Sequence, residues 1–441
     1  MSPAPRRWLA LALVAIASCQ QQNTVVVPNR VLDRPLDISL ACVRRTGGDG
    51  LEVLSPDQCD GVRQSDCEED GVSQLIGFVA NSAKNEVGMF RRCDVNGMVD
   101  LDPEAPGYNM VPVGKLPSRI VQTPDCRVVT ANAGSCDLSA IEMPALAAYA
   151  VGLQLPVAPS GLIATIIPRR SDGTPLGAAP GDMIAVPRGL SLAGSGDDPI
   201  DTGDDGGAGE TTGAGESTGA GETTGGGDTD DDVEVGTVCN PDISASVYIT
   251  FPRCQLVAEV NLQTQRILQS RQFVLDDDGV VTMVDSGPDP VCPIECPDQF
   301  DGDLPEDAPS AVDGGVSPRA LALVQPEPET DEEIRRDELE AVTESSLFVG
   351  GNGSDEIFEI PLLRDANTNA GLGFAPPGEL RRLELESPAG IEVIRPTPPM
   401  FIPDQGTEPE ENSGVVHQFL YVIAGDGSTH VVDRDFAGAS L

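Results

Sequence analysis

Apolar residues in this chain come in short alternating runs, each cut off by a cluster of Gly, Asn, Asp or Pro. The stretch from Phe78 to Ile141 shows this most clearly. Apolar runs at Gly77–Ala80 and Glu86–Phe90 flank a polar Asn-Ser-Ala-Lys-Asn turn. Three more follow at Arg119–Thr123, Arg127–Ala131 and Leu138–Ile141, with the turn Pro124-Asp125 between the first two. Period-two alternation over a few residues is what a strand buried on at least one face requires, and evenly spaced short strands predict an all-β array.

The same unit recurs at wider spacing. Arg34–Cys42 and Leu116–Cys126 both read as first strands that begin at a proline. A third opens at Met183–Pro187, and its hairpin lies in Ala245–Ser270, turning at Phe251–Cys254. A fourth spans Gly314–Val324 and Ser345–Leu362, and a fifth Gly390–Pro396 and His417–Asp433. The stretch Phe78–Ile141, with its VGKLPSRIVQTPD and FVANSAKNEVGMF segments, resembles the YVTN-type repeat of surface-layer and related WD40-like β-propellers. The resemblance implies an all-β propeller of about five recognisable blades with long disordered insertions. Where that family's turn has Asp-Gly, this chain has Asp125-Cys126. Propellers close with about four to eight blades, so either five blades close, or further strands lie in the long connections, or the array is incomplete.

Residues 194–236 break the pattern. They repeat GAGETT, GAGEST and GAGETT before Asp230-Asp231-Asp232, with no apolar residue at helix or strand spacing. Such a tract cannot bury enough surface to offset its ordering entropy. It reads as an acidic linker that divides the blades into 35–193 and 237–441, and its place inside the third repeat makes it a surface loop. A second acidic stretch, Glu327–Glu344, has the charge spacing of a short exposed helix.

The N-terminus carries an address. Arg6 and Arg7 precede an apolar run at Leu9–Ala17, too short to cross a bilayer and typical of a secretory signal over residues 1–18. It ends Ile16-Ala17-Ser18-Cys19, which resembles a bacterial lipobox. The resemblance implies lipidation at Cys19, a tether over 19–34, and a membrane partner through the acyl chains alone, each buried methylene contributing about 0.8 kcal/mol. Gln20, rather than Asp, after Cys19 resembles lipoproteins of the outer membrane of Gram-negative bacteria.

Composition narrows the function classes. The net charge of −44, from 71 acids against 27 bases, repels nucleic acid, which is therefore excluded as a partner. Beyond Cys19, the cysteines are Cys42, Cys59, Cys67, Cys93, Cys126, Cys136, Cys239, Cys254, Cys292 and Cys296, an even set that implies disulfides in an exported protein. Cys126 and Cys136 should lie at opposite ends of one strand, beyond the roughly 7 Å that a disulfide spans. Cys126 is expected to share a propeller face with Cys93, Cys42, Cys59 and Cys67 to staple the first insertion, and Cys292 and Cys296 to pair locally or clamp the acidic loop after them. Asp298, Asp301 and Asp303 are calcium candidates, since clustered Asp beside a Gly turn supplies oxygen ligands; no other cofactor is expected. The run Asp276-Asp277-Asp278-Gly279 reads as a solvated turn.

No Gly-x-Ser-x-Gly elbow, phosphate loop or dinucleotide fingerprint is present. The sole Trp, Trp8, leaves with the signal, which argues against a quinone-stacking propeller. The sequence therefore reads as a cell-envelope lipoprotein whose propeller is a non-catalytic binding or scaffold module for a protein or glycan. The alternative is a metal-dependent propeller hydrolase or lactonase.

Overall fold

The computed structural model describes residues 32–46, 50–54, 59, 72–92, 97–101, 110–150, 159–186, 239–241, 243–292, 315–324, 345–364, 372–375, 381–385, 390–397, 400–403 and 414–434. Their strands form six antiparallel sheets, five of them arranged as the blades of a β-propeller and the sixth a two-stranded ribbon. Blade 1 holds β1 (Pro35–Thr46), β2 (Gly50–Leu54), β3 (Ser73–Asn81), β4 (Glu86–Arg91) and β5 (Val111–Pro112). Blade 2 holds β6 (Pro117–Gln122), β7 (Arg127–Asn132) and β8 (Asp137–Glu142), then the helix α1 (Met143–Ala150) and β9 (Ile163–Ile166). Blade 3 holds β10 (Met183–Ala185), β11 (Ser246–Phe251), β12 (Leu256–Asn261), β13 (Ile267–Leu275) and β14 (Val281–Asp285). Blade 4 holds β15 (Ser317–Val324), β16 (Ser346–Asn352), β17 (Glu356–Arg364), β18 (Leu372–Phe374) and β19 (Arg381–Glu384). Blade 5 holds β20 (Ile391–Pro396), a separate ribbon of β21 (Met400–Pro403) and β22 (Gly414–His417), then β23 (Phe419–Ala424) and β24 (Thr429–Asp433).

Alternation along the second and third strands is what stacks the blades. Val128 packs toward blade 1 while its neighbour Val129 packs toward blade 3. In blade 3, Ile249 faces blade 2 and Tyr248 faces blade 4; in blade 4, Leu347 and Val349 face blade 3 and Phe348 faces blade 5. Each blade thus feeds two apolar layers, as period-two side-chain placement demands. Four layers result, one per junction from blade 1 to blade 5, with Phe78 and Ile141 in the first, Phe251 and Leu138 in the second, Phe273 and Phe358 in the third, and Ile394 and Leu420 in the fourth.

Two features of the strands lay outside the sequence reading. Four of the five first strands begin with a bulge: register slips between Pro35 and Asp37, Pro117 and Arg119, Pro318 and Ala320, and Ile391 and Val393. In blade 4 the slip brings β15 so close to β16 that a Cβ on Gly351 would lie 2.0 Å from the Ser317 carbonyl oxygen, so only glycine fits there. The helix α1 was also not expected; Met143, Leu146 and Ala147 bury its inner side in the layer between blades 1 and 2.

The connections are asymmetric. Turns from second to third strand are tight: Ser82–Lys84 is a 3-10 turn closed by Asn85 at φ 57°, and Pro252–Cys254 repeats it with Gln255 at φ 53°. Connections from first to second strand are long in four blades, over residues 47–72, 186–245, 325–345 and 397–418, and short only in blade 2, at residues 123–126. The Gly/Thr/Glu-rich tract thus joins two strands, β10 and β11, that hydrogen-bond to each other. That tract and Glu327–Glu344 lie outside the described residues.

Candidate functional site

The five first strands stand side by side around the propeller axis, β1 beside β6, β6 beside β10, β10 beside β15 and β15 beside β20. They carry the charged side chains Asp37, Arg119, Asp182, Arg319, Glu392 and Arg395. Asp182, one residue before β10, is the most heavily engaged. Its side chain is 3% exposed and its Oδ1 lies 2.9 Å from Arg119 Nε of blade 2. The same oxygen accepts from the Met183 amide at 2.9 Å, and Oδ2 accepts from the Leu321 amide of blade 4 at 2.8 Å. Arg395 of blade 5 also attracts the carboxylate. Burial pushes the Asp182 carboxyl above the ordinary aspartate value, while Arg119, the two amides and Arg395 pull it back.

Asp37 repeats half of this arrangement, its Oδ2 accepting from the Ile120 amide of blade 2 at 3.0 Å. Arg319 and Glu392 pair across the junction of blades 4 and 5 at 3.6 Å, both well exposed. An acid beside the first residues of a first strand, tied to an amide of a first strand in the next blade, is therefore a recurring device. In LDISL and GDMIA an Asp interrupts an apolar strand opening, which marks the position but not its remote partners, and the sequence reading did not single it out.

A second set of buried acids lies further out. Glu259 stands opposite Tyr248 across β11 and β12, accepts from Gln269 Nε2 at 2.5 Å and bonds the Ser246 hydroxyl. Gln269 in turn accepts from the Phe374 amide of blade 4 at 2.9 Å. Burial raises the Glu259 carboxyl, opposed by Gln269 and Ser246, and burial followed by the Glu259 charge pushes the Tyr248 hydroxyl far up. Blade 4 repeats the pair: the Ser346 hydroxyl donates to Glu359 Oε1 at 2.6 Å, and Arg381 reaches Oε2 at 3.0 Å. Both pairs join a serine opening the second strand to a glutamate on the third.

The residues singled out from sequence are scattered. Cys42 is bonded to Cys59. Cys126, expected beside Cys93, is bonded instead to Cys239, tying the turn of blade 2 to the chain just before β11; the Asn240 amide reinforces this by donating to the Pro124 carbonyl at 2.7 Å. Cys292, expected to pair with Cys296 or to clamp the acidic loop, is bonded to Cys254 in the β11–β12 turn, because the segment after β14 folds back across blade 3. Cys136 is disulfide-bonded as well. Cys19, Cys67, Cys93, Cys296, Asp298, Asp301 and Asp303 lie outside the described residues. Asp276 caps its own turn, Oδ1 accepting from the amides of Asp278 and Val280.

His430 Nε2 lies 2.9 Å from the Ser428 hydroxyl on an outer hairpin of blade 5. That hydroxyl donates its proton to Asp426 at 2.7 Å, so the imidazole meets it as a donor, the reverse of what base catalysis requires. Among the described residues, no three His, Cys, Asp or Glu side chains converge closely enough to hold a metal ion.

No protein-family model matches the chain, and no curated protein matches it. Among solved structures it is similar to virginiamycin B lyase from Staphylococcus aureus, at 8% identity over 90% of this chain and 88% of that one, with a TM-score of 0.28. It is also similar to hydrazine synthase of Kuenenia stuttgartiensis, at 9% identity over 94% of this chain and 99% of that one, with a TM-score of 0.23. At these values neither likeness bears on what the chain does.

Proposed function

We propose that this chain is an exported, lipid-anchored cell-envelope protein whose propeller, of the YVTN/WD40-like kind, is a non-catalytic module that binds a protein or glycan. The carrying observation is the asymmetry of its connections. Innermost strands of a propeller run in one direction, so the connections from first to second strand, long in four of five blades, all leave the same rim. Function in rigid β scaffolds resides in loops gathered at one end, while the scaffold supplies position. The channel favours the same reading. Asp182 is held on both oxygens by Arg119 and two backbone amides, which suits a staple between blades.

Two measurements test the proposal. Metabolic labelling with a radioactive fatty acid should mark the wild-type protein and leave Cys19→Ala unlabelled and released from membranes; labelling of Cys19→Ala would overturn the anchor. Cross-linking on intact cells, mapped by mass spectrometry, should place envelope partners on peptides of the long-connection rim, around Glu52 and Arg44. Cross-links confined to the opposite rim, around Lys84 and Asp426, would overturn the binding surface.

A further inference from the structure

Several arginines of the described propeller meet a carboxylate, as Arg44, Arg127, Arg271 and Arg381 do. Arg169, Arg170 and Arg266 instead gather around one turn and bond to backbone carbonyls. That turn, residues 169–175, lies in the connection from blade 2 to blade 3 and is spliced onto the turn between β12 and β13. Arg169 bridges in parallel to Arg266, its amide donating to the Gln265 carbonyl at 2.9 Å and its carbonyl accepting from the Ile267 amide at 2.8 Å. Alternate carbonyls of the turn then hold the three cations: Arg266 donates to Ser171, Arg169 to Gly173 at 3.0 Å and Arg170 to Pro175 at 3.0 Å. Arg170 Nε also donates to the Pro290 carbonyl at 3.0 Å. These bonds occupy only part of each guanidinium's donor fork. Two carboxylates stand at the turn, and both are engaged by its own donors. Asp172 Oδ1 accepts from the Thr174 amide and hydroxyl at 2.8 and 2.6 Å, and the Asp289 oxygens accept from the Ser171 amide and hydroxyl at 2.8 and 2.6 Å. Arg170 also attracts the Asp172 carboxylate. Three guanidiniums against two carboxylates leave one positive charge in excess, in a chain whose net charge is −44.

An exposed aliphatic shelf adjoins these cations. Val291, 71% exposed, follows the Pro290 that Arg170 holds, and its carbonyl accepts from Gln272 Nε2 at 3.2 Å. Val284, 45% exposed, stands opposite Gln272 across β13 and β14. Their neighbours Phe273 and Met283 pack toward blade 4, so Gln272 and Val284 turn to the other face of blade 3, the one toward blade 2. Among the described residues blade 2 has four strands against five in blade 3, so β14 has no counterpart in blade 2 to cover that side. Leu268, 46% exposed, lies two residues beyond Arg266.

We propose that this turn and its shelf dock a peptide segment of a partner protein that carries one carboxylate beside aliphatic side chains. A single excess charge suits one carboxylate, and the planar fork of an arginine matches its two oxygens. The carbonyl anchors set the guanidiniums in place before the ligand arrives, which lowers the ordering cost of binding. A polyanion, an acidic glycan included, is repelled by the acids of the rest of the chain. The shelf is aliphatic, which suits Leu or Val side chains and offers no aromatic face for a sugar ring. The surface uses none of the long connections between first and second strands, and its test reads neither them nor the lipid anchor.

The test titrates the full chain, its disulfides formed, with the capped peptide acetyl-Leu-Val-Glu-Val-amide, read by saturation-transfer NMR of the peptide. Binding should saturate at about 1 mM or below, and should weaken about tenfold when the peptide's Glu is replaced by Gln. Arg266→Gln, at an exposed side chain with one anchoring bond, should weaken binding about tenfold with the unfolding midpoint unchanged. Val291→Ser, at a side chain already in solvent, should weaken it about threefold. Lys84→Gln, which removes the same charge elsewhere, should leave it as in the wild type. Absence of saturation transfer from the wild-type protein at about 10 mM peptide would overturn the proposal. So would equal binding of the Glu and Gln peptides, or wild-type affinity in either Arg266→Gln or Val291→Ser. Tighter binding of a glucuronate oligosaccharide that is lost in Arg266→Gln would mark a glycan as the occupant and overturn the peptide.

Discussion

Asp182 and Glu392 occupy matching situations: each is an acid at the opening of a blade's first strand, paired with an arginine on the first strand of the preceding blade. Their surroundings differ. Asp182 and Arg119 meet at 2.9 Å with the aspartate 3% exposed, whereas Glu392 and Arg319 stand 3.6 Å apart with both side chains more than two-fifths exposed. A buried carboxylate has lost its water and depends on every protein donor it has found, so removing it strands those donors. An exposed carboxylate exchanges an arginine for water at little cost. The comparison teaches that charge along the propeller channel binds blades together only where burial commits it.

The largest expected effect is therefore at Asp182. Asp182→Ala leaves the Leu321 and Met183 amides and the Arg119 guanidinium without their acceptor, and should destabilise the chain by about 3–5 kcal/mol. Denaturant unfolding followed by circular dichroism checks this. A loss below about 1 kcal/mol would mean that the three-blade bridge is not a staple.

Next comes a covalent tie. Cys126 and Cys239 are 113 residues apart, and their bond closes the loop that contains the Gly/Thr/Glu-rich tract. Replacing both by serine should cost about 2–4 kcal/mol, largely by freeing the unfolded chain. The same unfolding experiment on the doubly substituted protein reads it, and an unchanged midpoint would show that the tract's far end is held without the bond.

Glu259 sharpens the comparison, being buried like Asp182 but held by neutral donors. Burial raises its carboxyl above the ordinary 4.5, and Gln269 and Ser246 only partly offset this. From that ordinary value upward, the folded chain keeps its proton longer than the unfolded chain, so this group's contribution to stability falls as pH rises through the raised value. Glu259→Gln keeps an acceptor for Ser246 and removes the titration. Its urea midpoint should change less between pH 4 and 7 than the wild type's, and its gain relative to wild type should grow with pH. A gain that shrinks with pH would mean the carboxylate is stabilised where it sits.

How much of this could be read from the sequence depends on the range of the interaction. The hairpins were legible because alternation and turn chemistry are local: FVANSAKNEVGMF encodes β3, a left-handed Asn85 and β4 within one short stretch. The outer strands β13, β14, β18 and β19 were harder, since strands at a blade's rim are half-exposed and lose clean alternation; the pattern at Val281–Asp285 is intermediate and exposed throughout. Asp182 was hidden for a different reason. Its partners Arg119 and Leu321 are remote in sequence, and no local rule connects a lone aspartate to an amide on the neighbouring strand of the channel. The Cys126–Cys239 bond was missed likewise, because Cys239 follows a tract whose length says nothing of where its far end is fastened.

The smallest expected effect completes the comparison. Glu392→Ala removes an acid in the same relation to its arginine as Asp182, yet Arg319 keeps its solvent, and its guanidinium also faces the Asn352 side-chain oxygen at 3.2 Å once that amide is oriented to accept. The apolar layer between blades 4 and 5, with Phe348, Ile391 and Leu420, is untouched. The change should cost about 0.2–1 kcal/mol, shrinking as salt is added. The double replacement with Arg319→Ala should then lose close to the sum of the two single changes, since an exposed pair has little coupling to lose. A loss approaching that of Asp182→Ala would mean that charge alone, and not its burial, fixes one blade to the next.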